Sequence, residues 1–178
     1  QCLSTKILLI RPIGRYILAG YAKRSAKLDE KDRQIIRALQ RDGRMSNQDL
    51  AAKVNLSPSP CLRRLRLLEK AGVIQGYAAR VDPKAYGLPI TAFVRLRLER
   101  HDETTVDAFE RAVGGMEEVL ECHVMTGTPD YQLRVVVESL EAYEHFIRAR
   151  LQRIGGIGSI DTSFAYGTVK DSRLFPAV

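Results

Sequence analysis

Apolar residues recur every three or four positions through the first half of the chain and at every second position through much of the second half. Ile35, Ile36 and Leu39 form a first helical stripe, with Asp29 placed to cap it and Gly43 to stop it. Leu50, Ala51 and Val54 form a second, which ends near Asn55. Ser46 opens it, and Asp49 three residues on completes a capping-box pattern. Leu62, Leu65 and Leu68 form a third and are read as its core face. Ser57 stands as its cap, and Pro58 takes the first helical position, where a missing N–H costs nothing. Val73–Val81 reads as an extended arm, and Asp82-Pro83, Gly87 and Pro89 punctuate a linker.

Beyond the linker the period changes. Val94, Leu96 and Leu98 alternate with Arg95, Arg97 and Glu99, as in a half-buried strand. Val106, Phe109, Ala112 and Val113 mark a helix that stops at Gly114-Gly115. Val119 to Met125 and Tyr131 to Val137 read as two strands around a Gly127-Thr128-Pro129-Asp130 turn. Leu140, Tyr143, Phe146, Ile147 and Leu151 make another helix, ending at Gly155-Gly156. Ile160, Phe164 and Tyr166 lie on a last strand. The order β-α-β-β-α-β is the split βαβ, or ferredoxin-like, sandwich, whose sheet has one helix-covered face and one open face. Val94, Leu133 and Val135 are read as stocking the open face, and an open apolar face calls for self-association.

Charge divides along the same line. Residues 28–90 carry 12 basic and 7 acidic side chains, residues 91–178 carry 10 and 14, and the whole chain of 178 residues has a net charge of +7. The basic part suits a phosphate backbone; the acidic part does not. Two domains with different tasks follow, at 28–81 and 91–178, joined by a linker at 82–90. Residues 1–27 hold six Lys/Arg and no acid, and stand apart as an extension with no assigned function. No apolar run approaches the roughly 20 residues a membrane span needs. Cys2, Cys61 and Cys122 are too few and too scattered for a disulfide framework, which points to a reducing, cytoplasmic setting. His101, His123 and His145 are isolated, and Cys122-His123 would face opposite sides of a strand. No metal site, cofactor or catalytic pair is expected, and no enzyme.

The chemistry lies in the third helix. Arg63, Arg64, Arg66 and Lys70 point away from its leucines. Two capped helices joined by a tight turn, the second cationic, are the helix-turn-helix layout for entering a major groove. A solvated basic face on an ordinary bundle is the plainer alternative, and the paired caps favour DNA. Ser57, Ser59, Arg63, Arg64 and Arg66 are the expected DNA-contacting residues.

The segments LDEKDRQIIRALQRDGRMSNQDLA, LSPSPCLRRLRLLEKAGVIQGY, DPKAYG and TGTPDY together resemble the Lrp/AsnC family of transcription regulators, from Leu28 to about Leu174. The resemblance implies a winged-type helix-turn-helix domain, an α+β effector-sensing domain, and dimers assembling to octamers. It also implies control of amino-acid metabolism or transport genes in response to an amino acid. On this chain the implied effector residues are Gly127, Thr128 and Asp130, then Leu140, then Thr162, Ser163 and Phe164. Pro129 departs from the family pattern and offers no backbone N–H to a ligand carboxylate. That departure keeps a competing function in view, a DNA-architectural protein with little effector control.

Overall fold

The computed structural model describes residues 27–176, in two compact units. The expected extension at 1–27 therefore lies outside the described residues, apart from Lys27. One unit comprises Val81–Thr168. The other comprises residues 27–80, with which residues 169–176 gather.

The unit that comes first along the chain has three helices, α1 (Glu30–Arg41), α2 (Asn47–Lys53) and α3 (Pro58–Lys70). Helix α1 opens with a complete capping box: the Asp29 carboxylate accepts from the Asp32 N–H and the Asp32 carboxylate from the Asp29 N–H. This satisfies two backbone donors that a helix start leaves orphaned. Ser46 caps α2, accepting from the Asp49 N–H. Its box stays open, because Asp49 takes the Ser46 hydroxyl instead of the backbone N–H. Asn55, at φ 53°, turns the chain between α2 and α3, and Ser57 holds the N-cap position of α3 without making a side-chain bond. Ile35, Ala38, Leu50, Ala51, Val54, Cys61 and Leu68 form the core. The core stripe of α3 is Cys61 and Leu68, both buried, with Leu65 partly buried against them; Leu62, expected on it, is half-exposed and lies outside that cluster. Residues 75–80 adopt no regular secondary structure. The tail is tied back to α1 by Gln40, whose amide donates to the Arg173 carbonyl (2.9 Å) and accepts from the Phe175 N–H (3.3 Å).

The second unit opens with a short helix, α4 (Pro83–Tyr86), and continues β1 (Ile90–Leu98), α5 (Glu103–Gly114), β2 (Val119–Val124), β3 (Tyr131–Val137), α6 (Leu140–Phe146) and β4 (Ile157–Phe164). A π-helical turn at Ile147–Leu151 extends α6. The last strand stops at Phe164, short of the expected Tyr166. The sheet order is β2-β3-β1-β4, and the pairs are antiparallel, as the ferredoxin-like topology requires. Ala92, Val94, Leu96 and Leu98 of β1 and Tyr131, Leu133, Val135 and Val137 of β3 are buried together with Phe109, Phe146 and Leu151.

That burial corrects one expectation. Val94, Leu133 and Val135 lie in the helix-covered layer, not on the open face. Alternation puts Phe93, Arg95 and Arg97 on the open side of β1, with Arg134 of β3, Glu121 of β2 and Asp161 of β4. There Arg95 pairs with Asp161 (2.6 Å), and Arg134 with Glu121 (2.6 Å). Burial raises the Glu121 pKa, but the hydrogen bonds from Arg134 and His123 more than offset it, so the carboxylate lies below its ordinary value. The open face thus carries paired charges beside Phe93 and Val136, and is not the uniformly apolar surface that was expected.

Gly156 closes the loop before β4 at φ +86°. An added Cβ would stand 2.7 Å from Thr105 Cγ2, while the Gly156 carbonyl accepts from the Glu99 N–H (2.8 Å). Gly156→Ala is expected to destabilise this unit by about 1–2 kcal/mol from the left-handed backbone alone, read as a lower thermal midpoint; an unchanged midpoint would show that the loop rearranges freely.

Candidate functional site

Helix α3 presents a cationic face because its apolar stripe is fixed elsewhere. Packing Cys61, Leu65 and Leu68 against the core turns Ser59, Arg63, Arg66 and Lys70 outward, and all four are exposed. Ser57 is exposed at the helix start. Asn47 Nδ2 donates to the Pro58 carbonyl (3.0 Å) and ties the starts of α2 and α3 together. Lys31 Nζ donates to the Val54 carbonyl at the end of α2. Two free guanidinium groups one turn apart, on a braced helix that opens at Pro58, can meet phosphates or guanine edges.

Arg64 sits differently from its neighbours. It is half-buried, and its Nη1 donates to Asp29 Oδ2 (2.6 Å) and Asp32 Oδ1 (2.8 Å). Expected among the DNA contacts, it joins α3 to the start of α1. Nothing in the residue spacing announced this pairing, because its members lie 35 and 32 positions apart.

The expected effector residues fall into two groups in one chain. Gly127, at φ +102°, and Thr128 are exposed in the β2–β3 turn. Asp130 is buried, and its Oδ2 accepts from the Leu98 N–H (2.8 Å) and lies 2.9 Å from His101 Nε2. Its carboxylate thus already pins the β1–α5 loop. His101 is a partner that its isolated position in the sequence had hidden. The second group begins at the other end of β3. Leu140 is exposed at the start of α6, and the Tyr143 hydroxyl shares a hydrogen bond with Thr162 Oγ1 (2.6 Å). Burial raises the Tyr143 pKa, and the Thr162 bond opposes that rise. Phe164 meets the Tyr143 ring edge-on at 4.9 Å and leaves half its surface exposed. Ser163 Oγ faces the other side of β4 and accepts from Arg95 (3.4 Å). At the usual rise per strand residue the seven residues of β3 set Leu140 about 20 Å from Asp130, while Thr162 and Phe164 lie level with Leu133 and Val135 across β1.

Residues 28–75 match the family described as winged helix-turn-helix DNA-binding, and residues 91–175 match the Lrp/AsnC ligand binding domain. The leucine-responsive regulatory protein of Escherichia coli strain K12 is 40% identical over 151 residues, which span 84% of this chain and 92% of that protein. A transcriptional regulator from Neisseria meningitidis, solved as its L-Met complex, is 36% identical, with a TM-score of 0.80 over 84% of this chain and 97% of that one. An AsnC family transcriptional regulator from Agrobacterium tumefaciens is also 36% identical, with a TM-score of 0.79 over the same shares. Among the described residues no helix is long and apolar enough to cross a membrane. With a braced cationic recognition helix in one unit and a split βαβ sheet in the other, the chain belongs to the Lrp/AsnC family of DNA-binding transcriptional regulators.

Proposed function

We propose that this protein is a sequence-specific regulator of amino-acid metabolism or transport genes. It acts in the cytoplasm, and a free amino acid bound by the sheet unit sets its DNA affinity. The observation that carries the DNA half is the exposed face of α3, where Ser59, Arg63, Arg66 and Lys70 stand clear of any core. The sensing half rests on the two groups set apart along β3. Each is half a pocket: a turn with exposed backbone at Gly127 and Thr128, and an apolar edge at Leu140 and Phe164. A second copy that brings one group against the other would complete the site, so the working form is a homo-oligomer, a dimer assembling to an octamer. Leu140 and Phe164 favour an apolar amino acid, and the L-Met bound by the Neisseria relative supports that class of ligand. Ligand binding across subunits would alter assembly, and through it DNA affinity, by no more than the ligand's differential affinity for the two assemblies.

The test pairs selection of duplexes from a random pool with a thermal-shift screen of the twenty amino acids, each repeated by sedimentation. One enriched motif, a raised midpoint with an apolar amino acid, and an oligomer at micromolar concentration are expected. Enrichment of no motif would overturn the regulator reading in favour of an architectural one, and a monomer would overturn the shared pocket.

A further inference from the structure

Arg64 sits one residue from the outward-facing Arg63, yet it points to the start of α1. The local bonding there is closed. Asp29 Oδ1 accepts from the Asp32 N–H and Asp29 Oδ2 from Arg64. Asp32 Oδ2 accepts from the Asp29 N–H and Asp32 Oδ1 from Arg64. Each carboxylate oxygen has one donor, and one arginine nitrogen serves both side chains. The Asp29 pKa is lowered, first by the Asp32 N–H and next by Arg64, and the Arg64 pKa is raised by the two acids.

Two consequences follow. The bond braces α3 against the start of α1 from a position between the Cys61–Leu65–Leu68 stripe and the exposed Arg63–Arg66 face. It also offsets two carboxylates belonging to the same three-helix unit as the cationic face. Without it both would stand uncompensated against an approaching polyanion. The geometry points to Arg64 as a positioning residue for DNA recognition, which aims Arg63 and Arg66 and masks Asp29 and Asp32 without itself touching base or phosphate. This rests on the reading of α3 as the DNA-contacting helix.

The test uses the full chain and two probes: a duplex enriched by the wild-type protein and a random-sequence duplex, each titrated across a range of salt. Four proteins are compared: wild type, Arg64→Ala, Asp29→Asn/Asp32→Asn, and the triple variant. Asparagine keeps the N-cap acceptor at 29, so the cap survives the change. Arg64→Ala is expected to weaken binding by about tenfold with the salt slope unchanged. The triple variant, with no acids left to mask, should recover affinity for the random duplex to within about threefold of wild type, but not the preference for the enriched one. If Arg64 instead holds a phosphate, the slope falls by about one and the triple variant stays as weak as Arg64→Ala; that result overturns the inference. Should Arg64→Ala fail to fold by circular dichroism, Asp29→Asn/Asp32→Asn decides alone. With Arg64 released, it should bind random duplex more tightly and discriminate less, and unchanged discrimination overturns the proposal. A wild type that prefers no duplex is a separate failure, that of the DNA-binding reading itself, and takes this inference with it.

Discussion

Arg63→Ala combined with Arg66→Ala is expected to lower affinity for an enriched duplex by roughly a hundredfold or more. Both side chains are exposed, one turn apart, on a helix whose other side is committed to the core. A guanidinium that meets a guanine edge contributes about 1–3 kcal/mol of discrimination. One that meets a phosphate contributes sequence-independent attraction and about one unit of salt slope. The two outcomes separate cleanly in fluorescence anisotropy repeated at several salt concentrations. Lost preference at constant slope means base contact; a smaller slope with preference retained means phosphate contact. Because neither residue is part of the Cys61–Leu65–Leu68 stripe, the three-helix unit should melt as in wild type. Unchanged affinity and slope would show that DNA approaches another face.

Asp130→Ala is expected to cost the sheet unit about 1–3 kcal/mol, because it strands the Leu98 N–H in a buried position. It also removes the carboxylate beside His101. Asp130→Asn keeps an oxygen for the Leu98 N–H and should recover most of that loss. The pair therefore tests what Asp130 does. If it meets a ligand ammonium across subunits, calorimetry should show weaker amino-acid binding in both variants, since both remove the charge. If it serves only to pin the β1–α5 loop, the asparagine form should bind as wild type does and only the alanine form should lose stability. A thermal midpoint for Asp130→Ala equal to that of wild type would discount even the structural task.

The helix starts were legible because capping is local: Asp29, Ser46 and Pro58 act on residues within one turn of themselves. The sheet order was legible because the alternation in β1 and β3 and the two helical stripes admit one common topology. Which face of the sheet is covered was not. Alternation groups Val94 with Leu96, and Leu133 with Val135, but does not say which side the helices lie on until the whole unit closes. The pairings at Arg64 and at Asp130 were hidden for a related reason. They join residues from 29 to 35 positions apart, and their neighbours in sequence look like ordinary solvent-facing charges. The cap expected of Ser57 failed on geometry that composition does not carry: the residue is in place, but its hydroxyl makes no bond to α3.

The charged side of the sheet also bears on how the strands find one another while the chain folds. Arg95 and Arg97 of β1 and Arg134 of β3 alternate with residues that are wholly buried. A slip of one residue in the pairing of these strands would turn the arginines into the layer beneath the helices and expel Val94, Leu96 and Leu133. The misregistered sheet would hold unpaired guanidinium groups where Phe109 and Phe146 now pack, at a cost of several kcal/mol for each buried ion. In the native register, Asp161 and Glu121 lie across from Arg95 and Arg134 on neighbouring strands and receive them. Arginines that contribute little to the stability of the finished sheet therefore act as a proofreading device against its nearest competitor.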